Sequence, residues 1–213
     1  MLNPISIITE ICNVSKNYFP DSSFHLTPIN IIQNKFYKYY STGGDSSKAI
    51  NNKKNTLEEI NVVKWFDDFW IYMVITFNQA DKKTTNIFFT LSVFEGSSQD
   101  KIKNQLFRAE WDTYNDNRFH PQPHWHFYSN GRLENLVKEF SELLKEEETG
   151  FIDLINEEKF KGIDINKMHF AMSAHWDKEN GHIHGITDGN ELLNWYKGLM
   201  SHIKFQLEHA QLF

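Results

Sequence analysis

The stretch Phe69–Glu95, FWIYMVITFNQADKKTTNIFFTLSVFE, decides the fold class. Two runs of β-branched and aromatic residues, FWIYMVITFN and TNIFFTLSVFE, flank a polar connector, QADKKT. This composition predicts two strands of a β-hairpin. Further along, NQLFRAEWD (104–112) and HWHFY (124–128) predict a third and a fourth strand. RLENLVKEFSELLKEEE then has helical periodicity, with Leu133, Leu136, Val137, Phe140, Leu143 and Leu144 as its apolar stripe. FIDLINEEKF predicts a short helix, KMHFAMSAHWD and HIHGI predict strands, and residues 188–212 predict a final helix with Asp188 as its cap.

Upstream of the hairpin the reading is helical. Residues 3–19 place Ile5, Ile8, Ile11 and Cys12 on one face. TPINIIQNKFYKYY predicts a second helix, with Thr27 as N-cap and Pro28 at its first position. STGGDSSKAINNKKN reads as a loop. TLEE, Thr56–Glu59, has capping-box spacing and predicts a short helix. Together these elements predict one α+β domain over 1–213, in which an antiparallel sheet of about five or six strands packs with helices on one face. Residues 1–55 would form an N-terminal helical segment and loop, and 56–213 the sheet-containing core.

Composition narrows the function. The chain has 213 residues and a net charge of -6, so it is not a basic nucleic-acid binder as a whole, although a local basic groove is compatible with it. Eighteen phenylalanines supply a core and argue against disorder. Cys12 is the sole cysteine, which rules out an internal disulfide and a multi-thiolate zinc site. The N-terminal residues lack signal-peptide character, and no apolar run reaches the ~18 residues of a membrane span. A cytoplasmic protein with no membrane association is the expectation.

Strand period two sorts the polar residues. In FRAEWD, Arg108, Glu110 and Asp112 share one face; in HWHF, His124 and His126 share one face. If these strands pair, imidazoles and carboxylates converge on a patch suited to a divalent metal such as Mn²⁺, Mg²⁺ or Zn²⁺. His120 and its neighbouring prolines read as the loop that delivers the fourth strand. A later block repeats the arrangement: AHWD followed by HIH echoes AEWD followed by HWH. It places His175 and Asp177 on one face, and His182 and His184 on one face after a KENG turn. A metal-free, hydrogen-bonded polar strand face accounts for the same pattern.

The segment HWDKENGHIH, His175–His184, resembles the metal motif of HUH endonucleases of the plasmid-mobilisation relaxase type, His-x-Asp-Glu-x-x-Pro-His-x-His. His175, Asp177, His182 and His184 match, while Lys178 and Gly181 stand where the family has Glu and Pro. The resemblance covers ten of 213 residues. It implies that His175, His182 and His184 hold Mn²⁺ or Mg²⁺ against a scissile DNA phosphate. It also implies a tyrosine nucleophile on a later helix, a place that Tyr196 fills. Tyr196 equally fits the apolar stripe of Leu192, Leu199, Ile203 and Leu207. In that case the metal would activate water, with Glu110 or Asp177 as general base.

Two functions follow. One is a metal-dependent phosphodiesterase or nuclease acting on nucleic acid, built on His124, His126, His175, His182, His184, Asp112, Glu110, Asp177 and Tyr196. The other is a non-enzymatic, protein-binding subunit of a bacterial antiviral-defence or toxin–antitoxin system.

Overall fold

The computed structural model describes residues 3–19, 23–29, 36–53, 56–79, 85–113, 121–128, 170–171, 185–186 and 188–211. Helix α1 (Pro4–Ser15) is followed by strands β1 (His25–Ile29), β2 (Phe36–Thr42), β3 (Ser46–Lys53), β4 (Thr56–Phe66), β5 (Phe69–Gln79) and β6 (Thr85–Glu95). Then come β7 (Ile102–Asp112), β8 (His124–Phe127), β9 (Phe170–Ala171) and helix α2 (Gly189–Ala210).

The expected hairpin forms: β5 and β6 pair antiparallel from Phe69↔Glu95 to Gln79↔Thr85. Alternation splits its side chains between two compartments. Ile71, Met73, Ile75 and Phe77, with Ile87, Phe89, Leu91 and Val93, enter the larger core. Trp70 and Phe94 enter a smaller one with Ala49, Ile60 and Val62. Both faces of the hairpin are buried, which explains its nearly unbroken apolar sequence.

The smaller core is the lumen of a barrel. Strands β3 to β7 pair in chain order, each antiparallel to the next. A short parallel seam, Lys48↔Ile102 and Ala49↔Lys103, joins β3 to β7 and closes the ring. Strands β5 and β7 outrun the barrel. The edge of β5 beyond β4 takes β2, which in turn pairs with β1. The edge of β7 beyond β3 takes β8, which pairs with β9. A barrel at one end thus opens into a wider sheet at the other. Helices α1 and α2 cover the larger core through Ile7, Ile8, Ile11, Leu192, Tyr196, Leu199, Met200 and Ile203.

The expected α+β class, an antiparallel sheet of about five or six strands packed with helices on one face behind an N-terminal helical segment, is overturned. Among the described residues the protein is mostly β, with a closed five-stranded barrel, further strands and two helices. The error lies in residues 27–59. The predicted helix from Thr27 is instead β1 and, from Phe36, β2. Tyr37 and Tyr39, two residues apart, pack on the larger core, so the aromatic spacing has strand period. Pro28 is tolerated because β1 is an edge strand, where a missing N–H costs no ladder bond. The predicted loop 41–55 contains β3, whose polarity reflects a partly polar lumen. Buried Asn51, Ser92 and Gln105 bond one another there at 3.1–3.2 Å. The TLEE segment opens β4, and Glu59 pairs across the ladder with Lys48 at 3.0 Å instead of capping a helix.

The helix termini follow their local chemistry. The Asn3 side chain accepts from the Ile5 N–H at 3.1 Å, and Pro4 follows it at the first helical position. Asp188 accepts from the Glu191 N–H at 2.8 Å, as its position predicts. The buried face of α1 is Ile7, Ile8, Ile11 and Ser15; Ile5, expected on that face, is exposed. The predicted helices at 132–148 and 151–160 lie outside the described residues, as do residues 182–184 of the predicted strand HIHGI, whose Gly185 and Ile186 are described and are not in a strand. Of the predicted strand KMHFAMSAHWD, Phe170–Ala171 is described as β9. No described helix is long and apolar enough to cross a membrane.

Two glycines test the packing. A Cβ on Gly43, between β2 and β3, would lie 2.5 Å from Val63 Cγ1 in the larger core. Gly43→Ala is expected to destabilise the protein by roughly 1–3 kcal/mol. Gly198, exposed on α2, has nothing within 4 Å of its would-be Cβ. Gly198→Ala should stabilise by roughly 1 kcal/mol from helix propensity alone. Paired denaturant titrations of both variants check the opposite signs.

Candidate metal centre

One extra residue in β7 aligns the polar face. Val93 pairs with Phe107 and Phe94 with Gln105, so Leu106 is a bulge. Before it, odd-numbered residues face the lumen, and Gln105 bonds Ser92 and Asn51 there. After it, the even-numbered Arg108, Glu110 and Asp112 take that side while Phe107, Ala109 and Trp111 join the larger core. Strand β8 then registers Arg108↔His126 and Glu110↔His124. Trp125 packs on the larger core and Phe127 meets the Phe107 ring at 6.3 Å. Both histidines therefore fall on the Arg108–Glu110 side, where period two places them.

Glu110, His124 and His126 are all buried and form one cluster. The three donor atoms make a triangle. His124 Nε2 lies 2.9 Å from His126 Nε2, His126 Nε2 lies 3.2 Å from Glu110 Oε2, and His124 Nε2 lies 3.4 Å from Glu110 Oε2. Metal bonds of ~2.1 Å to these atoms would subtend angles of about 87°, 99° and 108°, between octahedral and tetrahedral values. Protons alone serve this triangle poorly. With both rings neutral, each Nε2 carries either one hydrogen or one lone pair, and no assignment places a hydrogen on every edge. A single cation at the centre satisfies all three lone pairs together. Glu110, His124 and His126 could hold a metal ion through two imidazoles and one carboxylate.

Arg108 organises the carboxylate. Its Nε lies 2.6 Å from Glu110 Oε1, leaving Oε2 to the histidines. Its Nη1 donates to the Asn52 carbonyl, which also accepts from Tyr128 Oη at 2.8 Å. The Asn52 N–H donates to Gln105 Oε1 at 2.7 Å. The end of β3 is thereby tied to the polar face that carries the cluster. Burial pushes the Glu110 carboxyl up. Hydrogen bonds from His124 and His126 and the Arg108 charge outweigh that and hold it well below the usual carboxylate range. Burial also lowers the His126 pKa, against the pull of Glu110. It pushes the Tyr128 phenol up to about 12.

The remaining sequence candidates are placed as follows. Asp112 shares the face and is buried, but it is not a member of the cluster; its N–H donates to Gln122 Oε1 at 3.1 Å. His120, His175, Asp177, His182 and His184 lie outside the described residues. Tyr196 is fully buried in the larger core, across the sheet from Glu110. Ser15 Oγ gives its proton to the Ile11 carbonyl at 2.7 Å, so it accepts from Tyr196 Oη at 2.7 Å. Burial raises the Tyr196 pKa strongly. Arg108 was visible on the polar face by period two. Tyr128 likewise shares the parity of His124 and His126 within HWHFY; the Asn52 carbonyl has no such signal, because the composition of 41–55 reads as loop.

Comparison with known protein families, with curated proteins and with solved structures finds no match to this chain.

Three variants separate structure from site. Arg108→Met strands a buried carboxylate and is expected to destabilise by about 3–5 kcal/mol. Tyr196→Phe removes one buried hydrogen bond and should cost about 1 kcal/mol without touching metal affinity. Glu110 contributes stability above its unfolded pKa of ~4.3, and that contribution is lost as pH falls toward its depressed folded value. Metal-free wild type should therefore lose stability below about pH 4 more steeply than Glu110→Gln. Chemical denaturation at a series of acid pH values measures the difference.

Proposed function

We propose that the chain is a divalent-metal-dependent phosphodiesterase acting on nucleic acid. The observation that carries this reading is the 2.9–3.4 Å triangle of His124 Nε2, His126 Nε2 and Glu110 Oε2. Two imidazoles and a carboxylate are a donor set that would suit a hydrolytic metal. His124, His126 and Glu110 would hold the cation, which would supply an acidified water and charge neutralisation for hydrolysis of a phosphate-ester P–O bond. Glu110 serves as ligand and not as base, because Arg108 occupies its second oxygen. Asp177 then remains the sequence-derived candidate for the base. Placement of Tyr196 in the core favours water over a tyrosine nucleophile. Two imidazoles and one carboxylate suit Zn²⁺ or Mn²⁺ better than Mg²⁺, which prefers oxygen ligands.

The protein-binding reading has its own support. An apolar cavity of about 280 Å³ lies between β8 and α2, lined by Phe107, Trp125, Phe127, Ile203 and Leu207 among others. It opens on the sheet face opposite the metal cluster, and Phe127 is 40% exposed there.

Metal analysis of untagged protein should give about one equivalent in wild type and none in His124→Ala/His126→Ala. Labelled single-stranded DNA and RNA with Mn²⁺ or Zn²⁺ should be cleaved by wild type alone. Sub-stoichiometric metal in both proteins ends the proposal. Metal without cleavage, together with a stable co-purifying protein, favours the binding subunit.

A further inference from the structure

We infer that Arg108 makes the metal-loaded cluster selective for a phosphoryl oxyanion as its exogenous ligand; this rests on the metal reading above. The argument is one of charge. His124 and His126 are neutral when they ligate through Nε2. Glu110 brings one negative charge, and Arg108, 2.6 Å away and 3% exposed, cancels it. Asp112, 8% exposed on the same face, brings one more. A divalent cation then leaves a net positive charge among the described residues of a buried cluster. An uncompensated charge out of water is costly, and an anion in the open coordination positions removes that cost.

The chemistry of the anion follows from the donors. A guanidinium and a divalent metal on one face favour a ligand that offers several oxygens carrying shared charge, which is the phosphate-ester class. A facial triad without an arginine against its carboxylate would carry one less positive charge and would accept neutral ligands more readily. Arg108 touches Glu110 and not the metal ligands' nitrogens, so it acts here as a specificity-determining residue through charge.

The test uses the full chain loaded with Co²⁺, whose visible absorption spectrum reports exogenous ligands. Inorganic phosphate, acetate and neutral imidazole are titrated in turn, and cobalt stoichiometry is measured after each titration. Phosphate should shift the spectrum with retained cobalt and bind at least about tenfold more tightly than acetate or imidazole. Arg108→Lys keeps the charge while changing the donor geometry at Glu110 and the Asn52 carbonyl, and should retain the wild-type order of phosphate over imidazole. Arg108→Gln should lose about tenfold or more for phosphate and little for imidazole. A spectrum insensitive to phosphate, or equal affinity for imidazole in wild type, overturns the inference while leaving the metal site standing. If Arg108→Gln does not fold, the wild-type ligand order and the lysine variant still decide. Failure of wild type to bind Co²⁺ removes the metal reading and this inference with it.

Discussion

A carboxylate stays ionised out of water only where hydrogen bonds and a fixed charge hold it so, and at Glu110 the hydrogen bonds come from His124 and His126. Here that charge is Arg108, 2.6 Å from Glu110 in a region where neither side chain is more than 8% exposed. The pair divides the two oxygens of one carboxylate between two tasks. Oε1 is neutralised, and Oε2 is presented to His124 and His126. Coulombic attraction at this depth offsets the desolvation of both groups only because their further hydrogen bonds are made. The Asn52 carbonyl accepts from Arg108, and His124 and His126 meet Glu110 Oε2; Tyr128 and Gln105 in turn bond Asn52. The site is therefore a set of bonds between β3, β7 and β8, and its geometry depends on the barrel being closed.

The barrel depends in turn on strands that serve two environments. β5 and β7 are each long enough to form a barrel wall at one end and to anchor a flat extension at the other. Their side chains divide between a lumen and a helix-covered core, so burial on both faces keeps the register unique. A one-residue slip would exchange Trp70 and Phe94 for Ile71 and Val93 and disrupt both cores together. The seam between β3 and β7, with two registered pairs, is the shortest contact in the ring. The Arg108–Asn52 bond reinforces the same β3–β7 junction from the polar side.

The polar face was legible where alternation is strict. Arg108, Glu110, His124 and His126 were sorted correctly onto one side of the sheet because strand period leaves no other arrangement once β7 and β8 pair. The α2 stripe and its Asp188 cap were legible for the corresponding helical reasons. The barrel was not legible. Its closing hairpin is written in Ser, Lys, Asn and Glu, a composition that reads as loop and capping box. A lumen partly filled by amides needs no apolar alternation, and Asn51, Ser92 and Gln105 satisfy one another only in three dimensions. The seam joins residues more than fifty positions apart, and no local period announces it.

The bulge at Leu106 has a consequence for how this chain can change. Gln105, in the lumen network, and Arg108, in the metal face, have opposite parity in sequence yet face the same side. Their phase is kept by the single unpaired residue between them. Substitution at Leu106 alters packing, whereas deletion there would turn Arg108, Glu110 and Asp112 toward the helices and bring Phe107 and Trp111 into the polar compartment. Loops elsewhere in the chain can drift in length without that penalty. Descendants of this sequence are thus free to vary many of its residues, but the count between Gln105 and Arg108 is fixed for as long as the cluster is used.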